Sequence, residues 1–199
     1  MRGKIPPVLW LLVVSFLLVG CGSSPPNNYY VLSAQEFPAA KGDTPSIGVG
    51  PIEVPEYLIR QNLVYNHDEN TLHIFSVDLW GEPLVDGIQR VMALNLSGLL
   101  QTQNMRFFPW NPQRAPDYGV RVNLLQLDAN KNEAMIKAEW LVYRPANGEA
   151  VTRRISQLKW PLPSGGSEPE QVAEAYSKLL LQLSEIVAAD IRTDQAAQQ

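Results

Sequence analysis

Ala134, Ile136, Ala138, Trp140 and Val142 occupy alternate positions along one stretch of this chain. Side chains of an extended strand point alternately to its two faces, so these residues form one continuous apolar stripe. A strand with such a face needs a second layer to cover it. Val120, Val122 and Leu124 alternate just before it, Asn147-Gly148 is a tight-turn pair, and residues 151–160 read as a returning strand. The centre of the fold is therefore expected to be an antiparallel meander.

Two segments supply the cover. Leu84, Ile88, Val91, Met92, Leu96 and Leu99 step by three and four across residues 82–100, with Pro83 placed in the first helical turn. Val172, Ala175, Tyr176, Leu179, Leu183, Ile186, Val187 and Ile191 do the same, behind a Ser167–Glu170 capping box. Shorter strands are predicted at 29–32, 46–54, 71–77 and 105–108, with loops at 36–45 and 109–116. Within 71–77, Leu72 and Ile74 share a face; within 46–54, Gly50-Pro51 marks a bulge or an edge strand. The expected class is α+β: a single domain over 29–192, a mostly antiparallel sheet with two long amphipathic helices packed on it. Residues 193–199 form a polar tail, expected to fray.

The start of the chain obeys different rules. Residues 8–19 (VLWLLVVSFLLV) hold a single polar side chain, Ser15, and follow the basic Arg2 and Lys4. A bilayer crossing takes about 20 apolar residues, whereas the apolar centre of a secretory leader takes roughly 7–15. Leu18-Val19-Gly20-Cys21 then resembles a lipobox, so residues 1–20 read as a lipoprotein signal peptide and 21–28 as a lipidated tether. Cys21 is the only cysteine, which excludes an internal disulfide, and its acylation (S-diacylglycerol plus an N-acyl chain) accounts for it. Gly22 stands where an aspartate usually retains lipoproteins in the inner membrane, which points to the outer membrane. The chain has net charge −4, and losing Arg2 and Lys4 with the leader makes the remainder more acidic. An acidic body without a basic run argues against nucleic-acid partners and against electrostatic adhesion to anionic lipid.

The inventory for catalysis is thin. HExxH, CxxC, GxSxG and phosphate-loop patterns are missing from the sequence. His67, His73 and Asp68 are one metal-site candidate, against the plainer reading of a solvated turn beside a strand. Asp78 with Glu82, and Glu53 with Glu56, are spaced like carboxylate pairs but common by chance. Asn95-Leu96-Ser97 matches a glycosylation sequon that has no meaning in a bacterial helix. Trp140 is expected in the core, while Trp80 and Trp110 divide evenly between core and partner groove.

SIGVGPIEVPEYLIRQNLVY at 46–65, LWGEPL at 79–84, RVMALNLSGLL at 90–100 and RFFPW at 106–110 are similar, in order and spacing, to one family. This is the auxiliary lipoprotein family of ABC-type and mammalian-cell-entry transport systems, and the resemblance runs from Tyr29 through the final helix. The chain departs from the family at Ile59-Arg60-Gln61, where an acid often precedes the arginine and a proline follows it. It departs again at Gly81, where alanine is common. The resemblance implies no enzyme. It implies an outer-membrane component of an intermembrane lipid-transport system, docking a periplasmic mammalian-cell-entry tunnel protein that is itself held by an inner-membrane partner. A homo-oligomer around the tunnel tip is compatible with it, and a stand-alone periplasmic lipid carrier is the alternative. Candidate partner-binding residues are Pro55, Glu56, Tyr57 and Leu58, and Trp80, Glu82 and Pro83. Their competing reading is structural: prolines ending strands, and a Trp-Gly-Glu-Pro turn starting a helix.

Overall fold

The alternating stripe at 134–142 lies at the heart of a five-stranded sheet. In the computed structural model, which describes residues 25–68, 70–163 and 168–198, Ala134, Ile136, Ala138 and Val142 are fully buried and Trp140 is 1% exposed. Cys21 with its leader, Glu69 and Ser167 lie outside the described residues. In chain order the elements are β1 (Asn28–Tyr30), β2 (Ile47–Glu53), β3 (Asn62–Asp68), β4 (Thr71–Trp80) and α1 (Leu84–Leu100). They continue with β5 (Met105–Phe107), β6 (Tyr118–Ala129), β7 (Glu133–Arg144), β8 (Glu149–Pro161) and α2 (Pro169–Ala197).

The strands form two mixed sheets rather than one. The larger has the order β5-β2-β6-β7-β8, the smaller β1-β4-β3. The β6-β7-β8 meander is antiparallel as expected, but β2 runs parallel to both β5 and β6, and β1 parallel to β4. Parallel neighbours need long crossovers, and the β3–β4 hairpin and α1 lie between β2 and β5 in the chain. Gly50-Pro51 turns out to be a bulge inside a central strand: the pairing of β2 with β6 slips between Val49 and Ile52. Gly50 has φ +112°, and a Cβ there would lie 2.8 Å from the Phe108 Cβ, so glycine is required.

Both helices bury their predicted stripes on the larger sheet. Leu84, Ile88, Val91, Met92 and Leu96 of α1 meet Val172, Tyr176, Leu179, Leu183, Val187 and Ile191 of α2 in one core. Pro83 stands at the N-cap of α1, one residue ahead of the first turn. In α2 the predicted capping box gives way to Pro169 at the first helical position, which makes Glu168 the N-cap, without a side-chain cap bond. Proline is pre-organised for that position because its φ is already helical. The predicted frayed tail is also corrected: α2 continues to Ala197. Asp194 accepts two hydrogen bonds from Arg144 Nη2, at 2.8 and 2.6 Å, and one from the Tyr118 hydroxyl at 2.7 Å.

Strand β3 was not legible. Leu63 and Val64, consecutive, are both buried because the register with β4 slips beside them, so period two is lost.

Candidate partner-binding surface

Two loops carry the predicted contact residues. After β2, Pro55 (φ −56°, ψ 146°) leads into a 3₁₀ turn, Glu56–Leu58, closed by Leu58 N–H to Pro55 O at 2.9 Å. Leu58 is 3% exposed and belongs to the core, whereas Glu56 faces solvent and Pro55 and Tyr57 are half-buried. Burial pushes the Tyr57 hydroxyl upward in pKa; a hydrogen bond from the Leu127 backbone opposes this, and the Asp128 carboxylate adds to it.

The second loop joins β4 to α1. Trp80 is 3% exposed, donates its backbone N–H to Gln61 O at 2.7 Å, and stacks its ring on Tyr176 with centroids 6.4 Å apart. Gly81 N–H reaches Tyr30 O at 2.8 Å. Glu82 forms an ion pair with Arg90, whose Nη2 also donates to Leu32 O at 2.9 Å. Trp80-Gly81-Glu82-Pro83 is thus a joint that fastens β1, β4 and α1 together. Trp80 and Leu58 present no surface to a partner, because both are spent on the core. Glu56 and Pro83 remain exposed.

Tyr176, at 1% exposure, links the two loops from beneath. Burial raises its hydroxyl pKa well above 10.0, with the charge of Asp128 and the nearby Tyr57 hydroxyl acting in the same direction.

Asp78, His73 and Asn95 have structural duties, while the side chains of His67 and Asp68 lie outside the description. Asp78 accepts hydrogen bonds from Asn28 Nδ2 (2.9 Å) and the Tyr30 hydroxyl (3.1 Å), tying β1 to β4 and standing apart from Glu82 in role. His73 packs against Tyr65 and Phe75 at centroid distances of 5.0 and 5.1 Å. Among the described residues no three potential metal ligands cluster, and no helix is long and apolar enough to cross a membrane. Asn95, in the sequon, is buried in α1 and accepts a bond from Gln35 N–H at 2.9 Å.

That bond belongs to a feature the sequence hid. Residues 31–40 lie as an extended arm along α1 and α2, also pinned by Ser33 N–H to Ser177 Oγ at 3.0 Å. Beside the arm runs an open groove of about 920 Å³ whose walls include Glu82, Arg90, Leu94 and Ser97. A smaller hollow of about 410 Å³ lies between the arm and α2. Neither encloses an apolar cavity.

An α+β body of two mixed sheets and two long helices, closed by an aromatic joint, is the class that the geometry defines. Residues 30–188 match the model of the ABC-type transport auxiliary lipoprotein component, and the chain belongs to that family. Over 94 residues it is 32% identical to the intermembrane transport lipoprotein PqiC of Escherichia coli (strain K12), covering 44% of this chain and 50% of that protein. The same figures hold for PqiC of Shigella flexneri, so the alignment spans half the length of these curated relatives. In fold, the chain is similar to a crystal structure of a Xanthomonas campestris protein, with TM-score 0.69 and 13% identity, over 86% of this chain and 99% of the other. A second, uncharacterized protein gives TM-score 0.62 at 20% identity, over 85% and 99%.

Proposed function

We propose that this chain is acylated on Cys21 and serves as the outer-membrane lipoprotein of an intermembrane lipid-transport system. In this reading its folded body docks a periplasmic mammalian-cell-entry tunnel protein, whose inner-membrane partner completes the system. The observation that carries the reading is the family match across most of the folded body. The relatives named for intermembrane transport support it, as does the lipobox ending at Cys21. A stand-alone lipid carrier would need an enclosed apolar pocket of some hundreds of Å³. The groove beside the arm is open and carries the Glu82–Arg90 ion pair on its wall, which favours a docking surface over a lipid carrier.

The test has two arms. Cys21→Ser should leave the leader uncleaved or the protein unacylated, and should abolish its function in the envelope. Cross-linking from Glu56 and Pro83 in intact cells should capture a tunnel protein of the periplasm. Normal processing and full function of the serine variant would overturn the anchor. Capture of no transport component from either position would overturn the docking role.

A further inference from the structure

We infer that the β3–β4 hairpin touches the lipid surface that holds Cys21, with Leu72 and Ile74 at the boundary between headgroups and acyl chains. The inference rests on the acylation of Cys21 proposed above. Strand β1 runs parallel to β4 with Asn28 opposite Asp78. The chain therefore enters β1 from the side of the molecule toward which the hairpin projects. From Cys21 to Asn28 is seven residue steps, and from Asp78 back to Thr71 at the hairpin's outer end is also seven. Each stretch spans at most about 25 Å, at roughly 3.3–3.6 Å per residue. A membrane fixed to Cys21 thus lies beyond the hairpin's end only if the tether is drawn straight. Any slack brings the two together.

The surface found there suits the contact. Leu72 is 40% and Ile74 43% exposed, and two residues apart on a strand they share one face. The rings of Tyr65, His73 and Phe75 pack against one another in tilted and edge-on contacts, Tyr65 to Phe75 at 5.2 Å, and stiffen the hairpin. On the edge of β4 that faces β1, the only pairing among the described residues is with Asn28–Tyr30, so the outer part of the hairpin projects uncovered. Residues 61–80 contain Asp68, Glu69 and Asp78 but no lysine or arginine. Attraction to anionic lipid therefore contributes nothing, and the contact favours a zwitterionic surface.

With Cys21 acylated, a cysteine introduced elsewhere is the only free thiol, which permits one clean measurement. Full-length acylated protein carrying Leu72→Cys, Ile74→Cys or, as control, Ile155→Cys (63% exposed in the native chain) is labelled with an environment-sensitive dye. It is then placed in vesicles of phosphatidylethanolamine with one-fifth phosphatidylglycerol, a composition chosen as about 20% anionic. Lipids spin-labelled near the headgroup should quench the dye at 72 and 74 at least threefold more than at 155, and the contrast should shrink as phosphatidylglycerol is raised. Protein that floats with vesicles but shows equal quenching at all three sites overturns the hairpin contact alone. So does dye protection that appears only at high protein density, which would assign the strip to a second copy. Protein left in the supernatant overturns the anchor and the contact together.

Discussion

Trp80 shows how one residue can be conspicuous in sequence and still be spent entirely on the interior. Its ring lies on Tyr176 and its backbone closes the turn into α1. Trp80→Ala should cost about 3–5 kcal/mol, the range for deleting a buried aromatic. Glu56→Ala, at an exposed position, should stay within about 0.5 kcal/mol. Urea titration of the two variants separates stability from binding, and only the Glu56 variant can report on partner capture without unfolding the protein. Tyr176 carries the clearest pH dependence. Its folded pKa is raised, chiefly by burial, so the folded chain keeps a proton that the unfolded chain releases above pH 10.0. The stability contributed is complete below that pH and is lost as pH climbs through the raised value. Tyr176→Phe removes a long 3.5 Å hydrogen bond to Val64 O and should cost under about 1 kcal/mol at pH 7. It should also flatten the fall in Tm between pH 9 and 11, and an unchanged slope would assign the alkaline loss to other groups.

Among elements, the arm and α1 depend on a single absent methyl. A Cβ at Gly98 would lie 2.3 Å from Phe37 Cδ2 and 2.6 Å from Phe37 Cβ, so alanine must expel that ring. Alanine gains about 1 kcal/mol in helix propensity over glycine, but overpacking costs typically 1–3 kcal/mol. Gly98→Ala should therefore destabilise the protein and speed proteolysis within residues 34–40, and the cleavage pattern by mass spectrometry checks it. At the far end, α2 lasts to Ala197 because Asp194 finds Arg144 and Tyr118 across the core's rim. Asp194→Ala should unravel the last turn and accelerate amide exchange at residues 194–197 while leaving residues 172–187 protected. Residues 193–199 carry few apolar side chains, so their spacing reads as a tail. Periodicity registers apolar burial, not an ion pair whose partner lies fifty positions away.

On the scale of the whole molecule, two sheets share one interior. Trp80 of the smaller and Trp140 of the larger sit in the same buried cluster with both helices. Urea unfolding followed by tryptophan fluorescence and by far-ultraviolet circular dichroism should give coincident transitions. Separate midpoints would show that the smaller sheet opens independently. Local spacing is enough to identify the elements whose burial is periodic: the β6-β7-β8 meander, the stripes of α1 and α2, and a central Trp140. Those follow from geometry internal to one strand or helix, where spacing alone decides which side chains face inward. The packing of distant segments settled that β2 lies between two parallel neighbours, that β3 exists, and that the arm clasps α1. It also decided that Trp80 is interior while Leu72 and Ile74 are not. Each of these depends on what comes to lie beside a residue from elsewhere in the chain, and local spacing holds no record of that neighbour.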